Sequence, residues 1–184
     1  MKAAGSVESH ESLRLFCALR LPEEVLDRLR AWQDEHVRAG RPVARANLHV
    51  TLAFLGHRAS AELAGIVETT GAAAAVARAI RLEPVRYRET RSVGMLVLRD
   101  ENDAATALAD DLHGRLEALG VYRSEPRAWL PHLTVVRFRE RPRLAPPLPE
   151  LEPFSPSDAA VYLSRLRSSG AQYEVVQSFA LGGT

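Results

Sequence analysis

The segments NLHVTLAFLG, residues 47–56, and LPHLTVVRF, residues 130–138, each set His-x-Thr inside a strongly apolar run. Each closes the same local order. RLFCALR, residues 14–20, and the acidic-led stretch PEEVLDRLRAWQDEHVRAG precede the first, and GMLVLRD, residues 94–100, and NDAATALADDLHGRLEALG precede the second. A chain that writes strand, helix, strand with His-x-Thr twice contains two similar halves. Such halves face each other across a pseudo-twofold axis, so their equivalent strands form opposite walls of one cleft.

Periodicity and turn residues set the remaining elements. Strands are expected over 13–20, 47–56, 80–88, 93–99, 131–138, 159–166 and 173–181. Helices are expected over 22–40, 60–79 and 102–120, with Ser60 capping the second and Asn102 or Asp103 the third. Pro84 marks an edge or bulge, and the Pro-rich run over 141–156 is a stiff connecting loop. Residues 1–12 form a flexible tail ahead of one bilobal domain over 13–184.

At 184 residues the chain buries a sizeable core as a single domain, and a monomer is expected. No apolar run reaches the ~18 residues of a membrane helix, and the first twelve residues lack the apolar core of a secretory signal. A cytoplasmic location follows as the expectation. One cysteine, Cys17, excludes an internal disulfide, and its apolar neighbours make it a buried strand residue. Net charge is +1, but six arginines fall between residues 78 and 99 and six more between 123 and 143. Arginine forks match phosphate oxygens, so these clusters suit either a solvated face or a phosphate-attracting cleft.

In a strand, residues i and i+2 share a face, so His49 points with Thr51 and His132 with Thr134. Val50, Leu52, Leu133 and Val135 take the other face, under the helices. With 6 histidines and 7 threonines in 184 residues, about 0.2 such matches arise by chance. Two imidazoles and two hydroxyls suit hydrolysis of a phosphodiester without a metal. One imidazole accepts a proton from water, the other protonates the departing oxygen, and the hydroxyls hydrogen-bond the charged phosphoryl oxygens. Metal binding fits poorly, because each motif offers one imidazole with no Cys, Asp or Glu beside it. His10, His36, His57 and His113 are expected to be exposed.

The paired HVTL and PHLTV, the opening RLFCAL, the FLG after the first motif, PHLTVVRF, and the late YLSRL and GAQYEVV together resemble the bacterial RNA 2′,3′-cyclic phosphodiesterases, 2′-5′ RNA ligase-like members of the 2H phosphoesterase superfamily. The resemblance spans about residues 13–181. It implies an α+β fold of two pseudo-symmetric lobes, each an antiparallel sheet backed by helices, whose central cleft is lined by both motifs. It further implies opening of a terminal 2′,3′-cyclic phosphate on RNA, tRNA fragments included, to a 2′-phosphate. Neither metal nor cofactor is implied, and 2′-5′ joining is a second activity. The alternatives are a binding module that holds RNA ends in the same cleft without turnover, and a phosphodiesterase for a small substrate such as ADP-ribose cyclic phosphate. Carried over by motif, His132 is the general base, His49 the proton donor, Thr51 and Thr134 the phosphate ligands, and Arg137 a substrate contact. Arg137 lies five residues past His132, and odd spacing in a regular strand sets it on the far face, so contact needs a bulge or a rim position. Leu130 stands where many relatives carry a basic residue. Arg127 and Phe16 are weaker candidates, Phe16 as a surface on which a terminal base stacks.

Overall fold

The first strand begins one residue earlier than expected, at Ser12. The computed structural model describes residues 12–168 and 170–182, so residues 1–11 of the expected tail lie outside the described residues. The elements are β1 (Ser12–Arg20), α1 (Glu23–His36), β2 (Arg41–Pro42), β3 (Val50–Ala59), α2 (Leu63–Ala75), β4 (Leu82–Glu89), β5 (Val93–Asp100), α3 (Ala104–Ala118), β6 (His132–Arg137), β7 (Asp158–Arg167) and β8 (Gly170–Phe179).

Helix starts show how the local sequence acts. Pro22 presets the entry to α1, and Glu23 and Glu24 lie in its first turn against the positive end of the helix dipole. The start of α3 is held differently from the expected Asn102 or Asp103 cap. Asp103 sits in the left-handed region at φ 52°, and the Asp100 carboxylate at the end of β5 accepts from the amides of Ala105 (3.2 Å) and Thr106 (2.8 Å). Nor does the Ser60 side chain cap the second helix. A short 3-10 turn leads into α2, and Glu62 reaches back to the Ala59 amide at 2.8 Å. Among the described residues no helix is long and apolar enough to cross a membrane.

All strands pair antiparallel in the order β4-β5-β6-β3-β1-β7-β8, with β2 added to β6. The order is symmetric about the repeat: the equivalent strands β3 and β6 are central neighbours, and their equivalent partners β1 and β5 flank them. The two expected lobes are therefore continuous, joined where Val50 pairs with Leu133. Val50, Leu52, Leu133 and Val135 are at most 2% exposed and belong to the main core, to which α1 contributes Leu29 and Trp32, α2 Ile66, and α3 Leu112 and Leu116. A smaller apolar cluster of Phe16, Ala18, Ala160 and Tyr162 stands apart from that core, on the β1-β7 strands.

The connection from α1 into β2 lies close against β6. Gly40 makes this possible: its φ is +81°, and a Cβ there would fall 2.8 Å from the Arg137 carbonyl oxygen and 2.9 Å from Val136 Cγ2. Gly40→Ala is expected to lower stability by about 1–3 kcal/mol. Urea unfolding should show a lower midpoint with an unchanged slope.

Candidate active site

Both histidines are oriented by the same local contact. Nδ1 of His49 lies 2.8 Å from the Asn47 carbonyl oxygen, and Nδ1 of His132 lies 2.8 Å from that of Leu130. A carbonyl only accepts, so each Nδ1 carries the proton and each Nε2 is left bare in the neutral ring. His49 Nε2 stands 3.1 Å from the Thr51 hydroxyl. His49, Thr51, His132, Thr134 and Arg137 line one cavity of about 260 Å³, together with Arg14, Phe16, Asn47, Phe54 and Tyr173.

Arg137 reaches this cavity because β6 bulges. Thr134 pairs with Met95 and Val136 with Gly94, so Val135 is an extra residue on β6. The same irregularity occurs in β3, where Thr51 pairs with Ala18 and Ala53 with Cys17, leaving Leu52 over. Each bulge stands three residues past its histidine. Each reverses the alternation, so that Arg137 and Phe54, both five residues past a histidine, return to the cleft face.

Profile comparison matches residues 21–167 to the 2′-5′ RNA ligase superfamily. The chain belongs to that superfamily. A protein of Escherichia coli K12 named RNA 2′,3′-cyclic phosphodiesterase is 28% identical over 179 residues, spanning 93% of this chain and 98% of that one. A protein of Thermus thermophilus with the same name is 31% identical over 188 residues, spanning 93% and 91%. Among solved structures, E. coli LigT in apo form superposes with a TM-score of 0.79 at 26% identity, covering 93% of this chain and 98% of LigT. LigT complexed with 3′-AMP gives 0.78 at 25% identity, covering 93% and 99%.

In this superfamily member the surroundings of the two histidines differ. The His49 ring lies 4.9 Å from Phe16, 5.5 Å from Tyr173 and 5.9 Å from Tyr162, centre to centre. Burial pushes its pKa down to about 4, with the electrostatic influence of His132 and Arg137 acting in the same direction against the hydrogen bond to Asn47. His49 is therefore neutral near pH 7 in the free protein.

Phe16 is 3% exposed and stacked on Tyr162 at 4.8 Å and 3°, so it supports His49 rather than offering a face to a base. The exposed aromatic is Phe54, half open to solvent, with the Arg14 guanidinium 4.7 Å above its ring. Arg14 also donates to Ser164 at 2.6 Å. Arg127 pairs with Glu125 and lines a neighbouring groove instead of the cavity. Cys17 is buried beside Thr70, and burial raises its thiol to about 11. Among the described residues no three His, Cys, Asp or Glu side chains group as metal ligands.

A bulged residue leaves its carbonyl out of the ladder, and both bulges are closed by a helix of the opposite half. Gln33 on α1, wholly buried, donates through Nε2 to the Val135 oxygen at 2.7 Å and to the Val43 oxygen at 3.1 Å. His113 on α3 stands 2.7 Å from the Leu52 oxygen, so its Nε2 donates. His113 is thus partly buried and bonded, contrary to the expected exposure. His36 is on α1 and His57 on β3, while His10 lies outside the described residues. Removing a donor from a buried carbonyl costs about 1–3 kcal/mol. His113→Leu is expected to lose that much in denaturant unfolding. His113→Gln, which installs the side chain that the other half uses, should retain most of it.

Proposed function

We propose that this protein hydrolyses the terminal 2′,3′-cyclic phosphate of RNA to a 2′-phosphate without a metal, through His49 and His132 as an acid and base pair. One observation carries the reading: two histidines, two threonines and an arginine line one cavity of about 260 Å³. The names of the relatives support it.

The phosphodiester anion sits between the two motifs, with its non-bridging oxygens on the hydroxyls of Thr51 and Thr134 and on Arg137. A water beside His132 loses its proton to Nε2 as its oxygen bonds to phosphorus. The bond from phosphorus to O3′ breaks, O3′ keeps the electron pair, and it takes the proton from His49 Nε2. A 2′-phosphomonoester and a 3′-hydroxyl result. The histidines are left with exchanged protons, which solvent restores. With the 5′-hydroxyl of a second RNA end in place of water, the same steps give a 2′-5′ junction, and tRNA fragments are fitting ends for either reaction.

The donor role requires His49 to hold a proton that the free site disfavours. The substrate's own negative charge supplies the attraction, since an opposite charge within about 4–6 Å favours the protonated form. Proton uptake is in this way tied to occupancy. The depressed pKa of His49 also favours a second reading with the roles exchanged, His49 as base and His132 as donor.

Leaving-group chemistry separates the two. His49→Ala and His132→Ala should each lose about 10²- to 10⁴-fold in kcat on a 2′,3′-cyclic phosphate, measured in EDTA. On a diester that expels p-nitrophenolate, which leaves without protonation, the variant lacking the acid recovers most of its rate and the variant lacking the base does not. Recovery by His49→Ala supports the assignment above, and recovery by His132→Ala exchanges the roles. Full activity in both alanine variants, or a wild-type requirement for a divalent metal, would contradict the mechanism.

A further inference from the structure

A groove of about 770 Å³ adjoins the cavity and shares Thr51, Phe54 and His132 with it. Its direction is set by strand register. Across β6, β5 and β4, His132 pairs with Val97 and Val97 with Arg86, and Thr134 pairs with Met95 and Met95 with Arg88. Residues paired across strands share a face, so Arg86 and Arg88 stand on the face that carries the second motif. They lie two strands away, about 10 Å at ordinary strand spacing. Met95 and Arg88 line the groove, and Arg86 continues the same face beyond it.

Both arginines are exposed, and among the described residues neither pairs with a carboxylate or donates to another group. This distinguishes them from Arg81, Arg99, Arg127 and Arg141, each of which is held by a glutamate. The lining contributed by α3 and the segment after it includes Asp110, Glu117, Glu125 and Arg127. Glu125 is matched by Arg127, and Glu117 accepts from the Ser124 amide at 2.6 Å. The cations left without a carboxylate partner are those on β4, so an entering polyanion is attracted to that side.

We propose that this groove seats the RNA strand immediately 5′ of the terminal cyclic phosphate, with Arg88 and Arg86 receiving successive backbone phosphates. The inference rests on the reading given under Proposed function and extends it: the preferred substrate is an RNA chain, not a cyclic mononucleotide, because a mononucleotide fills the cavity and leaves the groove empty. Arginine forks on phosphates carry no base preference, so the grip is independent of sequence.

The test compares cytidine 2′,3′-cyclic phosphate with a tetranucleotide ending in 2′,3′-cyclic phosphate, over a series of salt concentrations. Wild type should show the higher kcat/KM on the tetranucleotide. The double variant Arg86→Gln, Arg88→Gln should lose roughly tenfold in kcat/KM on the tetranucleotide, through KM, and its salt slope should flatten by about 0.7 for each lost contact. Its rate on the mononucleotide should stay unchanged, which also shows that the fold is intact. Equal loss on both substrates, or no loss on the tetranucleotide, would overturn the groove assignment. Failure of wild type to turn over either substrate would overturn the activity beneath it, and the groove assignment with it.

Discussion

Val50 opposite Leu133 is the backbone pairing on which the rest of the site depends. Each is the middle residue of a His-x-Thr motif, and the strands run antiparallel. Extending this register by one residue each way sets His49 across from Thr134 and His132 across from Thr51. The four polar side chains thus form a two-by-two patch about a pseudo-twofold axis that passes through the pair. A slip of one residue in either strand would turn its histidine and threonine into the core and bring Val50 or Leu133 into the cleft. Core burial of Val50, Leu52, Leu133 and Val135 opposes that slip, so the hydrophobic pattern that folds the sheet also sets the site's register.

Beyond this pair the strands stop sharing a ladder, and the paired bulges do the rest. The bulges at Leu52 and Val135 turn Phe54 and Arg137 into the cleft, one an aromatic surface and one a cation, at equivalent positions of the two halves. Gln33 and His113 close the carbonyls that the bulges expose, each from the helix of the opposite half. The duplication is symmetric in backbone and asymmetric in chemistry. His49 is packed among Phe16, Tyr162 and Tyr173, whereas His132 faces the open groove. Two identical imidazoles consequently meet different dielectric surroundings, which is what an acid and base pair working at one pH requires.

Features with a local cause were legible in the sequence. Apolar alternation marked the strands, and the Pro22-Glu23-Glu24 start marked α1. The repeat of strand, helix and His-x-Thr strand pointed to the two histidines, and the order of the sheet follows that repeat. What was not legible depends on the partner strand. A bulge is defined by register against a neighbour, so regular alternation assigned Arg137 to the far face and gave no reason to single out Phe54. Phe16 reads as a stacking surface along the sequence, but Tyr162, distant along the chain, covers it. His113 looked exposed because its bond partner, the Leu52 oxygen, is orphaned only by a bulge in another element. Asp100 gives no cap signal in the sequence because it ends a strand, and the left-handed Asp103 is what turns the α3 amides towards it.

The central claim is that one phosphoryl group is held between the two motifs with an imidazole at each end of the reacting axis. Crystallography of the protein with a uridine-vanadate complex tests it most directly, because vanadate adopts the five-coordinate geometry of the transition state. The account predicts the two apical oxygens at Nε2 of His49 and Nε2 of His132, with equatorial oxygens on the hydroxyls of Thr51 and Thr134. Vanadate bound to a single imidazole, or bound outside the cavity of the two motifs, would contradict it.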